Sequence, residues 1–382
     1  MDCLRVRHAA LPTKNAGAGD GDIPDPITDG PGPGVRPGRS GNCPLGAGTQ
    51  GYGGQHLRPH PPPFDPVAQA EAALAFYAEH GYVVVRALGA EEVARLNDAC
   101  DTFHAERGAE IDVPGQGQLF FPLPQFPEFD ASAAHPRLMP LVAAILGGAE
   151  RARHVECNYR AWAPVTSDYG MSWHSDDCSG GLLTLAQRQA RRPYGPPDML
   201  NLFMYLSDVD RATPAFAVVP QSRRADNIVR LREALGDGKY AEVPVHGPAG
   251  TVCIADRALI HTRLDPLEAD RALQKPRRIL HHVYACAGEL CDARGTARKG
   301  NGQPLEVTEW AFSRGLAPRR LVESADAATR RLFSAWPAHQ RAWMAAGYDE
   351  GFVSDPKSAR GSTPPGHVWK HAGGCYNSEG DR

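Results

Sequence analysis

The sequence predicts an α+β domain with a mainly β core, arranged as a sandwich or barrel. Helical patterns dominate residues 67–150, and from about residue 150 onward the chain changes to short apolar segments separated by turn residues. Helices followed by a run of short strands are typical of this class. The 382 residues are 42% hydrophobic, which supplies enough apolar side chains for one large core.

The first elements are predicted to be a helix, a strand and a second helix. AQAEAALAFYAEH has a helical composition and ends at Gly81, and the following YVVVRAL is rich in β-branched residues. The next segment places Val93, Leu96 and Cys100 on one face of an amphipathic helix. PRLMPLVAAILGG predicts a further helix that ends at Gly147.

Short strands are predicted after residue 150. They are apolar or alternating segments bounded by Gly, Pro, Asp and Ser, as strands of a sandwich are. The segments are ARHVECNYRAWAP, GMSWHSDD, MLNLFMYLSDVD, AFAVVPQS, GTVCIADRALIH and RRILHHVYACAG.

Gly and Pro mark both ends of the chain. Residues 1–66 contain 13 Gly and 12 Pro without a collagen period, so we expect a disordered tail that builds no core. The folded domain is therefore expected to span residues 67–350. Residues 351–382 are polar and again rich in Gly and Pro, and we expect a loose C-terminal tail.

The charge, hydrophobicity and cysteine content of the sequence indicate which binding partners and which cellular location to expect. A net charge of −3 does not favour a nucleic-acid partner, and a small-molecule substrate is expected instead. No apolar run approaches the roughly 18–20 residues that a membrane span needs. Nine scattered cysteines without a CxxC pair predict reduced thiols and a cytoplasmic location. Organelle targeting by the N-terminal tail and the oligomeric state stay open.

MSWHSDD contains a candidate metal site. His174 and Asp176 are two residues apart, so on a strand they point to the same face, either as a surface pair or as two metal ligands. His261 ends the apolar segment GTVCIADRALIH further along the chain. Two imidazoles and one carboxylate form the facial triad of Fe(II) oxygenases, although a zinc hydrolase could use the same set. A catalytically inactive binding protein is the third alternative.

The strand RRILHHVY adds a feature that a zinc hydrolase does not need. It begins with Arg277, whose guanidinium could grip the second carboxylate of 2-oxoglutarate through two parallel hydrogen bonds. Arg271, in the charged loop segment LEADRALQ, is the competing candidate. Arg277 is preferred because it starts a clear β run.

Taken together, these segments resemble the phytanoyl-CoA dioxygenase-like family of Fe(II)/2-oxoglutarate-dependent oxygenases over roughly residues 68–290. AFYAEHGYVVVRALGAEEVARL is similar to the family's N-terminal opening, and SWHSDD to its Trp-His-x-Asp element. GTVCIADRALIH and RRILHHVY resemble the strands that supply the distal histidine and the 2-oxoglutarate arginine. The resemblance implies a double-stranded β-helix (jelly roll, cupin-like) flanked by N-terminal and C-terminal helices.

The resemblance also implies an activity. Fe(2+) would be held by His174, Asp176 and His261, and 2-oxoglutarate would pair with Arg277. With O2 as the third reactant, the expected reaction is hydroxylation of a small organic molecule or acyl-type substrate, with release of succinate and CO2. Because halogenating relatives replace the carboxylate with a small residue, Asp176 favours hydroxylation over halogenation.

Two turns depart from the family pattern. Pro220-Gln221-Ser222-Arg223 stands where Pro-Gly-Ser-His is usual, and Thr213-Pro214 replaces an expected Gly. Both positions are architectural, so the predicted chemistry does not depend on them.

Further polar residues are candidates for contacts with the co-substrate or substrate. Asn158 and Arg160 share one face of a strand, and Asn201 is the polar residue inside MLNLFMYL. Asn158 and Asn201 are predicted to contact 2-oxoglutarate, with a structural role as the alternative, because a buried Asn needs partners. His281 and His282 must point to opposite faces of their strand.

Overall fold

The structure is a computed structural model. It describes residues 56–113, 117–120, 122–162, 173–174, 197, 199–224, 228–236, 239–266, 275–286 and 319–334. Asp176 and Arg271 lie outside the described residues, as do residues 1–55 and the predicted C-terminal tail 351–382.

Ten strands are described, and they form two sheets. Their bounds are β1 Tyr82–Arg86, β2 Asp112–Val113, β3 Gly117–Phe120, β4 Ala152–Trp162, β5 Met199–Tyr205, β6 Ala215–Val218, β7 Val243–Val245, β8 Thr251–Asp256, β9 His261–Leu264 and β10 Arg277–Cys286. The large sheet has the order β1-β8-β5-β10-β4-β3-β2 and the small sheet the order β7-β6-β9. Every pair within these sheets is antiparallel.

Eight α-helices are described outside the sheets. Their bounds are α1 Ala70–His80, α2 Ala90–Ile111, α3 Pro122–Gln125, α4 Asp130–Ala133, α5 Met139–Ile145, α6 Ile228–Leu235, α7 Arg319–Val322 and α8 Ala327–Leu332. Gly81 ends α1 in the left-handed conformation with φ 80°, as the sequence predicted. The predicted helix–strand–helix opening is therefore confirmed.

The two-residue period of the strands gives the large sheet two different faces. Val83 and Val85 pack with the helices, in a cluster that includes Leu96 of α2. Tyr82 and Val84 point the other way and pack with residues of the small sheet. The domain is thus a mixed α/β structure with antiparallel sheets, one covered by helices on one face and by the second sheet on the other.

Aromatic side chains fill the space between the two sheets. Phe203 and Tyr205 of β5 face Phe216 of β6, with Phe203 and Phe216 ring centroids 4.2 Å apart. The Tyr205 hydroxyl donates to the carbonyl of Val245 at 2.8 Å and so joins the sheets directly. Each buried aromatic contributes roughly 1.5–3 kcal/mol from burial alone, so this cluster is a main source of sandwich stability.

An N-terminal arm, residues 56–66, covers the open edges of both sheets. Leu57 forms a parallel bridge with Glu242, next to β7, and Phe64 forms one with Val85 of β1. The strands β7 and β1 are edge strands of their sheets. Composition assigned this arm to the predicted tail, but its backbone bonds come from strand edges that lie far away in sequence, which composition cannot reveal.

The turn after β6 is hydrogen-bonded to the residue that precedes β9. The Ser222 hydroxyl donates to the Val219 carbonyl at 2.6 Å and accepts from the backbone N–H of Ile260, the residue before His261, at 2.8 Å. Gln221 takes φ 63°, a left-handed conformation, at the position where the family has Gly. Arg223, at the family's His position, pairs through Nε with the buried carboxylate of Asp256 at 2.7 Å.

At the second departure from the family pattern, Thr213-Pro214, side-chain hydrogen bonds again hold the turn. The Asp210 carboxylate accepts from the backbone N–H of Ala212 at 2.8 Å and from the Thr213 hydroxyl at 3.0 Å. These bonds order the chain where the family uses Gly, because Asp and Thr side chains can close turns themselves. The turn then reaches β10, since Lys275 N–H donates to the Ala212 carbonyl at 3.2 Å.

Two histidines are fully buried on the helix-facing side of the large sheet. The Ser132 hydroxyl donates to the Phe129 carbonyl at 2.6 Å, so it accepts from His282 Nε2 at 3.1 Å. His282 Nδ1 must then accept from His154 Nε2 at 3.0 Å. This order of donors and acceptors uses both imidazoles in their neutral forms.

We predict that this histidine pair makes the fold sensitive to acid. Burial lowers the pKa of His282 to about 3 and that of His154 well below its usual value, with a further contribution from neighbouring imidazoles. Between pH 6.5 and about 3 the unfolded chain therefore binds protons that the folded chain does not. The free energy of unfolding should fall as pH decreases, by up to about 1.4 kcal/mol per pH unit for each histidine.

The measurement is urea unfolding at a series of pH values. His282→Gln should lower the slope of unfolding free energy against pH in this range. The decrease should correspond to about one fewer proton taken up on unfolding. The same change at His104, a half-buried residue of α2 outside this pair, serves as control and should keep the wild-type slope. Equal slopes for all three proteins would contradict the prediction.

We also predict opposite effects for two neighbouring substitutions in the 220–223 turn. Ser222→Ala leaves the buried N–H of Ile260 without its acceptor and should lower the free energy of unfolding by about 1–3 kcal/mol. Gln221→Gly removes the steric strain of a side chain in the left-handed conformation. It should leave the free energy of unfolding unchanged or raise it by up to about 1 kcal/mol. Chemical denaturation tests the pair, and similar losses for both variants would refute this account of the turn.

Candidate active site

His174 and His261 are brought face to face at the edge of the small sheet. Their backbones form an antiparallel bridge in which His174 N–H donates to the His261 carbonyl at 2.9 Å and His261 N–H donates back at 2.8 Å. Directly opposed residues point to the same side of a sheet. The ring centroids are accordingly 4.4 Å apart, and each residue is 6% exposed.

The residue before His174 points the other way. Trp173 is buried in a cluster with Ala217, Val219 and Leu264, on the outer face of the small sheet. Its packing fixes the segment against the sheet, and the alternation then turns His174 inward. Trp173 therefore has a packing role in the core.

A local hydrogen bond selects the tautomer of His261. Its Nδ1 lies 2.9 Å from the Leu259 carbonyl, and a carbonyl can only accept, so Nδ1 carries the proton. The proton-free nitrogen is then Nε2, the form in which imidazole binds metals. The pair thus has two features of a metal site: both histidines are buried, and their backbones hold them opposite each other.

The third predicted ligand is not described. Asp176 lies outside the described residues, two positions after His174. Within the described part of the chain, no group of three or more His, Cys, Asp or Glu side chains is placed to hold a metal ion. The structure therefore brings together two of the three predicted ligands, and Asp176 stays a prediction.

Arg277 is buried at the first position of β10. It is 4% exposed and shares the inter-sheet face with Ile279, which packs in the cluster between the sheets. The next residue, Arg278, points to the helix side and binds Asp101 of α2 at 2.6 Å. Lys275 ties the preceding segment to Asp210 at 3.3 Å. These contacts hold the chain on both sides of Arg277.

Asn158 lies at the centre of a hydrogen-bond network on the same face. Its Oδ1 accepts from Arg160 Nε at 2.7 Å. Its Nδ2 donates to Glu156 Oε1 at 2.5 Å and to His281 Nδ1 at 3.1 Å. Because the guanidinium can only donate, this arrangement also settles the orientation of the Asn158 amide.

His281 extends the network to Asn201. Since His281 Nδ1 accepts from Asn158, its proton is on Nε2, which lies 3.3 Å from Asn201 Oδ1. The His281 ring stacks on Phe203 with centroids 4.5 Å apart and a 9° angle between the planes. Both predicted asparagines are therefore on the inter-sheet face, joined through a histidine.

A row of rings connects this network to the histidine pair. Phe203 packs on Phe216, and the Phe216 ring is 5.3 Å from that of His261. The Asn158–His281–Asn201 network and the histidine pair thus both face the space between the two sheets, and the rings of Phe203 and Phe216 lie between them.

The sequence did not single out two members of this interior. His281 was interpreted only as one of two opposite-facing histidines, and Glu156 was not considered. For Glu156 the available signal was its position two residues before Asn158 on the same strand, and for His281 it was the shared face with Arg277. Their role became visible only when β4 and β10 were paired, with His281 opposite Asn158 and Val283 opposite Glu156.

Comparison with known proteins supports one family. The family model described as phytanoyl-CoA dioxygenase matches residues 77–262. This range includes both His174 and His261 and ends before Arg277. No curated protein matched the chain.

Several solved structures are similar to this chain at low identity. AviO1 from Streptomyces viridochromogenes is 20% identical, with 56% of this chain and 94% of that chain covered and a TM-score of 0.42. HygX from Streptomyces hygroscopicus, with nickel and 2-oxoglutarate bound, is 19% identical, with coverage of 56% and 86% and a TM-score of 0.42. EctD from S. alaskensis, with bound Fe, is 20% identical, with coverage of 60% and 80% and a TM-score of 0.44.

In the described residues, no helix is long and apolar enough to cross a membrane. The family match covers the segments from which the resemblance was inferred, up to and including His261. It confirms the prediction made from the motifs: residues 77–262 match the phytanoyl-CoA dioxygenase family.

Proposed function

We propose that the protein is an Fe(II)- and 2-oxoglutarate-dependent dioxygenase. The substrate would be a small organic molecule or acyl-type compound, hydroxylated with release of succinate and CO2. The observation that carries the proposal is the buried, mutually hydrogen-bonded pair His174 and His261, inside the region that matches the family model.

The metal would be held by His174, Asp176 and His261. The two imidazoles are suited to it because they are adjacent, buried and, for His261, fixed with Nε2 free of a proton. A carboxylate from Asp176 would complete the facial set of ligands. Bound Fe(II), together with 2-oxoglutarate and O2, supplies the oxidising chemistry.

The task of Arg277 would be to bind the far carboxylate of 2-oxoglutarate. A buried guanidinium offers two parallel, charge-assisted hydrogen bonds, and these are stronger away from water. Asn158 and Asn201 lie on the same face and would surround the co-substrate. Because the Asn158 amide hydrogens are both donated within the network, its remaining capacity is to accept one further bond.

The two sheets are proposed to be the halves of a jelly roll, or double-stranded β-helix. Support comes from the antiparallel order of both sheets and from the aromatic cluster between them. The oxygenase domain is assigned to residues 67–350, with the 56–66 arm attached to it and tails outside. A cytoplasmic location remains part of the same proposal.

Spectroscopy tests the proposed activity most directly. Anaerobic addition of Fe(II) and 2-oxoglutarate should produce a weak visible charge-transfer band, and His174→Ala should abolish it because a ligand is lost. Succinate release under O2 should disappear in the same variant. His104→Gln, far from the pair in sequence and on a surface helix, is the control.

This experiment also separates the alternatives. A protein that gives neither band nor succinate is not an oxygenase of this class. If the same protein hydrolyses a substrate with Zn(II), it is the metal-dependent hydrolase. If it shows no turnover with either metal, the inactive jelly-roll binding protein is supported.

The two candidate arginines can be distinguished by the affinity for 2-oxoglutarate. Arg277→Gln should weaken 2-oxoglutarate binding by roughly ten- to a hundredfold, because a buried carboxylate loses a charged bidentate partner. Arg271→Gln should leave it near the wild-type value. Titration of the charge-transfer band measures both, and the reverse order would transfer the role to Arg271.

A further inference from the structure

Arg160 is a half-buried cation on the inter-sheet face of β4. It is paired with Ile279 across β4 and β10, and Ile279 belongs to the cluster between the sheets. Its Nε is used by Asn158 at 2.7 Å. Within the described part of the chain, its two Nη groups make no hydrogen bond and no ion pair.

The Nε bond orients the rest of the guanidinium. Asn158 cannot rotate away, because its Nδ2 is held by Glu156 and His281. The position of the guanidinium is therefore fixed. Its two Nη atoms remain as parallel donors, which match a carboxylate or phosphate in bidentate geometry. Partly removing such a charge from water is costly unless an anion compensates it.

Among the described residues, no carboxylate forms an ion pair with Arg160. Glu156 lies four residues before Arg160, roughly 13 Å along an extended strand, and binds Asn158 instead. Arg277, a further cation on this face, is opposite Trp162 and so diagonal to Arg160, with Cα atoms roughly 7–8 Å apart.

We propose that Arg160 binds an anionic group of the substrate, a carboxylate or a phosphate. The inference rests on the proposed function, in which Arg277 takes the single far carboxylate of 2-oxoglutarate. Arg160 then provides a second anion site on the same face, joined through Asn158 to His281, whose ring stacks on Phe203. The substrate class is accordingly a small molecule that carries a negative charge.

The test uses acetate and methylphosphonate as probes on the full chain, loaded anaerobically with Fe(II) and saturating 2-oxoglutarate. Binding is followed by broadening of the probes' methyl NMR signals. Arg160→Gln should weaken binding of at least one probe by roughly ten- to a hundredfold, and Arg160→Lys by less, since the charge remains without the fork. Arg86→Gln, at an exposed arginine of β1, should have no effect.

The outcomes distinguish this inference from the proposed function. Unchanged probe binding in Arg160→Gln means an adventitious ion only and overturns the inference. Loss of 2-oxoglutarate affinity in Arg160→Gln, with Arg277→Gln unaffected, also overturns it, because Arg160 would then hold the co-substrate. If wild-type protein shows no charge-transfer band but binds the probes through Arg160, the anion site stands and the oxygenase proposal fails. Thermal melting of each variant confirms that it is folded.

Discussion

The alternation of side chains across the seven-stranded sheet is the constraint on which the rest of the structure depends. It separates a helix-covered, mainly apolar interior, which also holds His154 and His282, from a second interior that contains the polar groups of the candidate site. A single irregularity refines it: the register of β10 with β4 shifts between Val283 and Tyr284. Because of this shift, His154 and Glu156 face opposite sides although they are two residues apart. His154 joins the buried pair under the helices, and Glu156 joins the site-facing network.

Residues of the candidate site are positioned mainly by backbone bonds and short side-chain links. His174 and His261 hold each other through their backbones, and Ser222 fixes Ile260, the residue before His261. Arg277 lies between two anchored residues, Lys275 and Arg278. Such supports restrict the rotamers of the functional groups before any ligand binds, which is how a site gains preorganisation.

Prediction from sequence worked where a local pattern carries the information. The capping glycine of α1 and the apolar face of α2 are both local, and the structure contains them. The prediction of one strand ending at His261 was wrong, because β8 ends at Asp256 and His261 is the first residue of β9. The bridge between Leu57 and Glu242 shows where local patterns fail, because it joins residues that are far apart in sequence. Low-complexity composition describes the arm's poor ability to build a core, but not the strand edges that are available to it. The departures from the family turns were visible in sequence, while the side-chain bonds that replace the glycines were not.

By itself the sequence determined the residue types of the site and the faces they share. A spacing of two predicts one face for His174 and Asp176, and this stays a prediction for Asp176. The same spacing puts Asn158 and Arg160 on one face, where the structure joins them by a hydrogen bond. The match to the family confirms the overall resemblance. Tertiary structure alone decided which of these residues meet. It brought His174 to His261 and Asn158 to His281, and it joined Arg160 to the same network through Asn158. The reason is that strand pairing over long sequence separations depends on register and edge partners, which no local pattern encodes.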